Sequence, residues 1–361
     1  MYKAVTQKGY RYIALVSTRW HELGAEAAYL SKKEIDGHGL VVIESHPTAG
    51  LLIDSNAVCT DLFDVISISS NKDSGIFQKV SKAFWAWRLS RVSVGSTVYI
   101  ASSTAPGAFF NILSFLSRPG SFSYIQLDEG VGTYLCDDRG WEQIRRRETG
   151  SSPRIVERYI CMNLRNSLQL DRYLLFSDDG TPNWEVIEGY KRILQFHRSS
   201  EKNICFSSNE ILFCTGPYQE EGLVSYEKYF ILLSTIKQII DSIGLKIVVK
   251  PHPREKDCSI YGRLGFKVLA EPNESIEAML NNSSTSPMAI MGFTSTALVT
   301  SRLLFNLKAI CIVDLFSDIF KPVKSVDYII RYKNFFRRIV EFPECVDKFK
   351  HILVDEFLNQ R

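Results

Sequence analysis

The chain has 361 residues, of which 45% are hydrophobic and 23% are charged. This length is too great for one compact core and fits two domains of roughly 150–200 residues each, and the composition excludes a largely disordered chain. The net charge of +3 gives no reason to expect a nucleic-acid partner.

Short β-rich runs alternate with helical stretches in the first half of the chain. The β-branched and aromatic runs predict strands at Tyr12–Val16, Gly39–Ile43, Thr97–Ala101 and Ser123–Leu127. Helical spacing predicts helices at Glu22–Lys33, Ile76–Leu89 and Ala108–Leu116. This alternation predicts a parallel sheet covered by helices, which is a Rossmann-like domain over residues 1–200.

A predicted helix, Trp184–Phe196, leads into a polar connector at His197–Asn209 that we interpret as a hinge. Strands and helices then alternate again through Glu210–Cys214, Tyr226–Ser242, Leu245–Lys250, Phe266–Ala270, Glu274–Leu280, Met288–Gly292, Thr296–Leu304 and Ala309–Val313. The C-terminal run Tyr328–Leu358 is predicted to be helical, and whether its last helix packs back on the first domain is left open. We therefore expect an α/β protein with a second Rossmann-like domain at residues 201–361 and a ligand cleft beyond the carboxyl ends of the strands.

An acidic motif, Asp128-Glu129-Gly130, follows the predicted strand Ser123–Leu127. A carboxylate at a strand end can act as a general base when it lies within hydrogen-bond reach of a hydroxyl group. The alternative is a solvated turn, since Asp and Gly are ordinary turn residues.

A second motif, Lys250-Pro251-His252-Pro253, lies at the end of the predicted strand Leu245–Lys250. The two prolines stiffen the backbone around the histidine. A histidine among cations is a suitable ligand for a phosphate group, because each side chain donates to anionic oxygens. The alternative is an exposed loop histidine.

Three further segments of the second half lie at a helix start or in a loop after a strand. Ser295 and Thr296 begin a predicted helix, where they either cap the helix or bind a phosphate at its N-terminus. Glu274 and Glu277 open another helix, where one carboxylate can hold a ribose diol while the other caps the helix terminus. Gly216 allows close approach of a ligand to the backbone.

In this order, the acidic motif, the Lys-Pro-His-Pro motif and the Ser-Thr pair resemble the bacterial sialyltransferases, most of all their polysialyltransferase-like branch. That superfamily has a D/E-D/E-G motif in its N-terminal domain, and HP and Ser-Ser/Thr motifs in its C-terminal domain. The resemblance spans about residues 123–305, and the first hundred residues agree only in their α/β rhythm. It implies a GT-B fold and an inverting transfer of sialic acid, or a related nonulosonic acid, from a CMP-activated donor to a glycan hydroxyl. It also implies that neither a metal nor a cofactor is needed, and it suggests a role in capsule or lipooligosaccharide synthesis.

The resemblance also assigns roles to individual residues. Glu129 would be the general base, supported by Asp128. His252 would contact the CMP phosphate, with Lys250 and Pro253 in the same motif. The remaining nucleotide contacts would come from Ser295, Thr296, Glu277 and Gly216.

The chain offers two other acidic or histidine motifs. Asp178-Asp179-Gly180 is a second candidate for the base, although the residues after it indicate a helix entry. His46-Pro47 also follows a strand but has no cationic neighbours, so we interpret it as a loop. The aromatic segment Phe84–Trp87 has helical spacing and is interpreted as core.

Other functions stay open at this stage. A teichoic-acid-type polyol-phosphate transferase with a CDP-activated donor shares the KxHP-like motif but has an acid before its Ser pair, where this chain has Thr294. Transfer of Kdo or pseudaminic acid is a variant of the same chemistry, and a non-catalytic glycan-binding module is the alternative from another class.

Localisation is predicted from what the sequence lacks. No apolar run approaches the ~20 residues of a membrane-spanning helix, and the first ten residues do not form a secretory signal. We expect a cytoplasmic protein. The basic clusters Arg145–Arg147 and Arg331–Arg338 are interpreted as solvated faces, and the alternatives are binding of an anionic glycan or of the inner face of the membrane. The eight scattered cysteines do not have the spacing of a zinc site.

Overall fold

The chain divides into two compact units, Met1–Ile193 and Leu194–Arg361. A computed structural model describes residues 10–31, 39–45, 63–69, 76–93, 95–100, 109, 112–113, 116, 122–128, 130–135, 171–198, 204–269, 274–316 and 326–359.

The first unit contains a parallel sheet of six strands. These are β1 (Tyr12–Val16), β2 (Gly39–Ser45), β3 (Phe63–Ser69), β4 (Ser96–Ile100), β5 (Phe122–Leu127) and β6 (Asp171–Tyr173). The described helices of this part of the chain are α1 (Arg19–Ser31), α2 (Ile76–Val92), α3 (Val131–Leu135) and α4 (Trp184–Phe196). The strand order β3-β2-β1-β4-β5-β6 is that of a Rossmann fold. The four predicted strands correspond to β1, β2, β4 and β5 and are confirmed, whereas β3 and β6 were not predicted.

Alternate residues of the first sheet pack into two separate cores, one on each face. In β1, Ile13 belongs to one cluster, together with Trp85 and Leu89 of α2. Its neighbour Ala14 belongs to the other cluster, together with Ala25 of α1. Helices therefore cover both faces, which explains why the central strand β1 is apolar at every position instead of alternating with polar residues.

The second unit contains a parallel sheet of five strands. These are β7 (Glu210–Cys214), β8 (Lys246–Lys250), β9 (Lys267–Val268), β10 (Ala289–Gly292) and β11 (Lys308–Cys311). Its helices are α5 (Tyr226–Asp241), α6 (Ser259–Arg263), α7 (Ile276–Asn282), α8 (Thr296–Phe305), α9 (Val326–Phe336), α10 (Val346–Asn359) and a 3-10 turn at Val313–Phe316. The order β11-β10-β7-β8-β9 again has the Rossmann arrangement, with its switch point between β7 and β10.

The C-terminal run Tyr328–Leu358 was predicted to be helical, and the prediction is wrong for the segment between α9 and α10, which is not helical. The segment between α9 and α10 pairs with the edge of the sheet, where the Glu341 N–H donates to the Ala309 carbonyl at 2.9 Å and the Cys311 N–H donates to the Glu341 carbonyl at 2.9 Å. Pro343 follows, and a proline disfavours helical geometry in the residue before it. Among the helices of the described ranges, none is long and apolar enough to cross a membrane.

The strands of the second sheet are held in a register that aligns their carboxyl ends. Gly292 of β10 pairs with Cys214 of β7, and Cys214 pairs with Lys250 of β8. The backbones of β10 and β7 are so close here that a Cβ atom on Gly292 would lie 2.9 Å from the Cys214 carbonyl oxygen. Glycine is therefore required at the last position of β10.

Replacing Gly292 by alanine should separate β10 from β7, because the Cys214 carbonyl is backbone and cannot rotate away. We expect a loss of about 1–3 kcal/mol in the free energy of unfolding of the second unit. The matched control is Gly262→Ala in α6, where a Cβ atom meets nothing within 4 Å, and where we expect no loss and a gain of up to about 1 kcal/mol. Urea denaturation measures both, and equal stability of the two variants would contradict the close approach.

Candidate functional site

Loops after three neighbouring strands leave the second sheet at the same edge. Because Gly292, Cys214 and Lys250 lie in one row, the next residues along each strand, leading to Ser295, Gly216 and His252, emerge side by side. Adjacent strands are about 4.8 Å apart, so the β8 and β10 ends are separated by roughly 10 Å. The structure thus brings together, beside the switch point, three loops that the sequence analysis selected separately.

The imidazole of His252 is oriented by its own loop. Its Nδ1 accepts a hydrogen bond from the Arg254 backbone N–H at 3.1 Å. An imidazole that accepts at Nδ1 carries its proton, when neutral, on Nε2. The geometry therefore assigns Nε2 as the donor nitrogen of this partly buried side chain.

Glu255, which the sequence analysis missed, fixes the His252 loop to its neighbours. One carboxylate oxygen, Oε1, accepts from the His252 backbone N–H at 2.6 Å and from the Thr215 hydroxyl in the loop after β7. The other oxygen, Oε2, accepts from the Tyr261 hydroxyl of α6. Burial raises the pKa of Glu255, and the hydrogen bonds from Thr215 and Tyr261 oppose that rise. One carboxylate thus joins two strand-end loops and a helix.

The N-terminus of α8 lies at the same edge of the sheet. Ser295 is its N-cap residue, and the Ser295 hydroxyl accepts from the Ala297 N–H at 3.2 Å. The Tyr332 hydroxyl of α9 donates to the Ser295 carbonyl at 3.0 Å, which holds the cap from the other side. Ser295 and Thr296 thus begin a helix whose positive dipole end points at the row of loops.

Glu277 and Lys250 are both buried, with 6% exposure each. The Glu277 Oε1 accepts from the Thr300 hydroxyl of α8 at 2.6 Å. Burial raises the pKa of Glu277, while the bond from Thr300 and the positive charge of Lys250 oppose the rise. Glu277 is thus held by a hydrogen bond from α8, and the charge of Lys250 acts on it inside the unit.

Gly216 faces a side chain of its own loop. A Cβ atom there would lie 2.6 Å from Cζ of Tyr218, whose ring packs edge-on against Phe293 at 5.3 Å between centroids. The space above Gly216 is therefore occupied by Tyr218. The predicted contact of Gly216 with a nucleotide stays a prediction.

In the first unit, Asp128 is completely buried at the end of β5. Its Oδ1 accepts from the Gly130 N–H at 2.6 Å and the Trp20 indole N–H at 3.4 Å. Its Oδ2 accepts from the Leu175 N–H at 3.2 Å and from the Tyr134 hydroxyl. Burial raises the pKa of Asp128, and these four donors oppose the rise. Asp128 thus holds the loop of the acidic motif in place.

Gly130 has φ = 98°, a conformation that favours glycine. The candidate base Glu129, between Asp128 and Gly130, lies outside the described residues, as do His46-Pro47 and the Arg145–Arg147 cluster. Its two neighbours in the motif have structural explanations: Asp128 accepts hydrogen bonds from the surrounding chain, and Gly130 has a positive φ.

The second acidic motif forms a turn that is closed by its own side chain. Asp179 accepts from the Ser177 hydroxyl at 2.5 Å and from the Thr181 N–H at 3.0 Å. These bonds lower the pKa of Asp179 to about 2. Asp178 is exposed and pairs with Arg172 at 2.7 Å. A carboxylate engaged in this way is a poor proton acceptor near neutral pH.

No spacing rule identifies Glu255 from the sequence. It follows His252 by three residues in a polar run, which resembles a solvated turn. Its main partner, Thr215, is 40 residues earlier in the chain. A carboxylate two residues after a Pro-His-Pro segment is a weak sequence signal for a residue that holds this loop. Its role becomes visible only when sheet pairing brings Thr215 close to it.

Comparison with known proteins gives a family match over most of the chain. The family model described as alpha-2,8-polysialyltransferase (POLYST) matches residues 12–314. The predicted resemblance to the polysialyltransferase-like branch is thereby confirmed. No curated protein matches the chain.

Several solved structures are similar to this chain at low sequence identity. A UDP-N-acetylglucosamine 2-epimerase is 10% identical, with a TM-score of 0.50 over 98% of this chain and 96% of that chain. A sialyltransferase from Photobacterium damsela is 11% identical, with a TM-score of 0.49 over 92% and 81%. MurG from Acinetobacter baumannii is 9% identical, with a TM-score of 0.45 over 98% and 90%. Two parallel-sheet Rossmann-like units in one chain make up the GT-B class, so the predicted fold class is confirmed.

Replacing Asp128 by alanine should destabilise the first unit, because buried N–H donors at Gly130, Leu175 and Trp20 lose their acceptor. We expect a loss of about 2–4 kcal/mol in the free energy of unfolding. The control Asp178→Ala removes an exposed carboxylate and should cost less than about 0.5 kcal/mol. Calorimetry measures both variants. Unchanged stability of Asp128→Ala would mean that this carboxylate is not structural.

Replacing Glu255 by alanine should lower the free energy of unfolding by about 2–3 kcal/mol, because the His252 N–H loses its acceptor. Glutamine retains an oxygen there, so Glu255→Gln should lose less than about 1 kcal/mol.

The pH dependence of stability should distinguish Glu255→Gln from the wild type. Since burial raises the pKa of Glu255, its stabilising contribution is complete below its unfolded pKa of about 4.3 and decreases as the pH rises through the folded pKa. Glu255→Gln should therefore gain stability relative to the wild type with rising pH, and a constant difference from pH 4 to 8 would contradict this.

Proposed function

Because this chain belongs to the alpha-2,8-polysialyltransferase family, we propose that it transfers sialic acid, or a related nonulosonic acid, from a CMP-activated donor to a glycan hydroxyl. The match of the family model over residues 12–314 is the observation that carries the proposal. Family membership makes the chain a sialyltransferase-type glycosyltransferase, whose partners are a nucleotide-sugar donor and a glycan acceptor. We propose capsule or lipooligosaccharide synthesis as its setting.

The donor phosphate is proposed to bind at the carboxyl edge of the second sheet. The N-terminus of α8 at Ser295 and Thr296 offers a positive dipole end and hydroxyl groups. His252 offers its Nε2–H, because its Nδ1 is already occupied by the Arg254 N–H. Both features supply hydrogen-bond donors to an anionic oxygen at one edge of the sheet, which supports a phosphate site there.

The two other cations of this region are engaged within the unit. The Arg254 guanidinium pairs with Glu221 at 3.1 Å, and Lys250 is buried near Glu277. We propose that the positive charge of Lys250, at the end of β8, attracts the phosphate from within the unit. We propose that Pro253 restricts the backbone of the His252 loop. The roles of Glu277 and Gly216 at the nucleotide rest on the resemblance alone, since their contacts here are with Thr300 and Tyr218.

The proposed reaction is a single displacement at the anomeric carbon. The acceptor oxygen forms a bond to that carbon while the bond to the phosphate oxygen breaks, so CMP leaves with the electron pair and the configuration inverts. Glu129 is proposed to take the proton of the acceptor hydroxyl. His252 and the α8 N-terminus would stabilise the charge that develops on the leaving phosphate, which is a large contribution in reactions of this type. We propose that the step needs no metal ion.

A donor panel tests the proposal directly. The purified full chain is incubated with CMP-sialic acid, CMP-Kdo, CMP-pseudaminic acid or CDP-glycerol, with sialylated oligosaccharide acceptors, and with EDTA present. We expect acceptor products from a CMP-nonulosonate and none from CDP-glycerol, as measured by mass spectrometry. Consumption of CDP-glycerol instead would favour the teichoic-acid-type reaction and overturn the proposal.

Two variants assign the roles within the same assay. Glu129→Gln should lower transfer by about 10²–10⁴-fold, the usual contribution of a general base, while CMP binding in calorimetry stays nearly unchanged. His252→Ala should weaken both transfer and CMP binding. Asp178→Ala, which changes an exposed carboxylate, is the matched control and should keep wild-type activity. Near-normal turnover of Glu129→Gln would place the base elsewhere.

A further inference from the structure

Helix α4 begins at a tryptophan that does not contribute to the core. Trp184 is 60% exposed, whereas Ile187, Tyr190 and Ile193 of the same helix are fully buried. A single exposed apolar side chain is common on protein surfaces and does not by itself mark a site. What Trp184 can do therefore depends on where the fold places it.

Trp184 lies at the carboxyl edge of the first sheet, because α4 follows the end of β6, which pairs in parallel with β5. On the segment between β6 and α4, the Leu175 N–H donates to Asp128 Oδ2 at 3.2 Å. The Asn183 N–H donates to the Leu175 carbonyl at 2.7 Å. Two hydrogen bonds therefore connect the residue before Trp184 to Asp128, and the proposed base Glu129 is the next residue of that motif.

A buried aromatic stack joins the middle of α4 to the same motif. The Tyr190 ring lies on the Trp20 indole of α1, with centroids 4.5 Å apart and 13° between the ring planes. The Trp20 indole N–H donates in turn to Asp128 Oδ1 at 3.4 Å. Helix α4 is thus held beside the acidic motif both before its first turn and along its length.

Local hydrogen bonds order the backbone that carries Trp184. In the turn before it, the Asp179 carboxylate accepts from the Thr181 N–H at 3.0 Å. Asn183 caps α4, since its Oδ1 accepts from the Val186 N–H at 3.4 Å. The indole is therefore carried by a preorganised segment, and preorganisation lowers the entropy that is lost when a ligand binds.

We propose that Trp184 binds the glycan acceptor, with the face of its indole ring stacked against a sugar ring. The face of an aromatic ring is negative, and it attracts the weakly positive C–H groups on the less polar side of a pyranose. The acceptor is favoured over the donor because Trp184 is connected to the motif whose proposed base must contact the acceptor hydroxyl. This inference rests on the proposed transfer reaction and adds an acceptor-binding residue to it.

Steady-state kinetics test the role of Trp184. CMP-sialic acid is kept at saturation while an α2,8-linked sialic acid trimer is varied as acceptor. Trp184→Ala should raise the acceptor KM by about tenfold, the effect of losing one aromatic contact with its buried area, and should change kcat by less than about twofold. Trp184→Phe, which retains a ring, should recover most of the acceptor affinity, and CMP binding in calorimetry should stay unchanged in both variants.

The matched control is Trp87→Ala, which removes an indole that is 49% exposed near the C-terminal end of α2. That end of α2 leads into β4, so it lies at the opposite edge of the same sheet. Trp87→Ala should keep the wild-type acceptor KM. An unchanged acceptor KM in Trp184→Ala, or an equal rise in Trp87→Ala, would overturn the inference, as would a fall in kcat alone.

Glycan binding without a donor separates this inference from the transfer reaction. Saturation-transfer NMR measures the affinity of the full-length protein for the same trimer, and Trp184→Ala should raise its Kd by about tenfold. If the wild type transfers no CMP-nonulosonate but Trp184→Ala still loses trimer binding, the proposed reaction fails and the site is retained. If the wild type transfers sialic acid but both proteins bind the trimer equally, the site fails and the reaction is retained.

Discussion

Hydrogen-bonded register across β10, β7 and β8 determines where the loops of the candidate site emerge from the second sheet. The row of Gly292, Cys214 and Lys250 brings the ends of three strands level. The close approach of the β10 and β7 backbones requires glycine at residue 292. Loops at Gly216, His252 and Ser295 are far apart in the sequence, yet this register places them at one edge beside the switch point. A phosphate site that uses several loops depends on that alignment.

A buried carboxylate in the first unit, Asp128, and a partly buried one in the second, Glu255, perform the same structural task. Asp128 and Glu255 each follow a parallel strand and accept from backbone N–H groups and from a hydroxyl of another segment. A loop that is held by a carboxylate with several donors has few alternative conformations, because each lost bond would leave a buried donor unpaired. Hydrogen bonds to Glu255 therefore restrict the backbone at His252, and hydrogen bonds to Asp128 restrict the backbone of the acidic motif.

Family membership and fold carry different information about this chain. Solved structures at about 10% identity share only the two-unit architecture, and that architecture supports many reactions. The reaction class comes from the family match, and the chemistry proposed for it uses donors at one sheet edge and a base from the acidic motif. In α2, Phe84 and Trp87 were expected in the core, and the structure leaves about half of each side chain exposed.

The sequence by itself determined the α/β class, most of the strands and the motif residues His252, Ser295 and Thr296, because strand periodicity and strand-end chemistry are local properties. It did not reveal β3, β6 or the break between α9 and α10. The seven residues of β3 include the polar Asp64, Ser67 and Ser69, which interrupt its apolar run. β6 has only three residues and the break depends on a single proline, so both give weak local signals. Only the tertiary structure decided that Glu255 holds the His252 loop and that Asp128 is a buried acceptor, since their partners are brought close by sheet pairing across 40 or more residues. The same holds for α2: both of its faces are apolar, so which one packs on the sheet is decided by the fold.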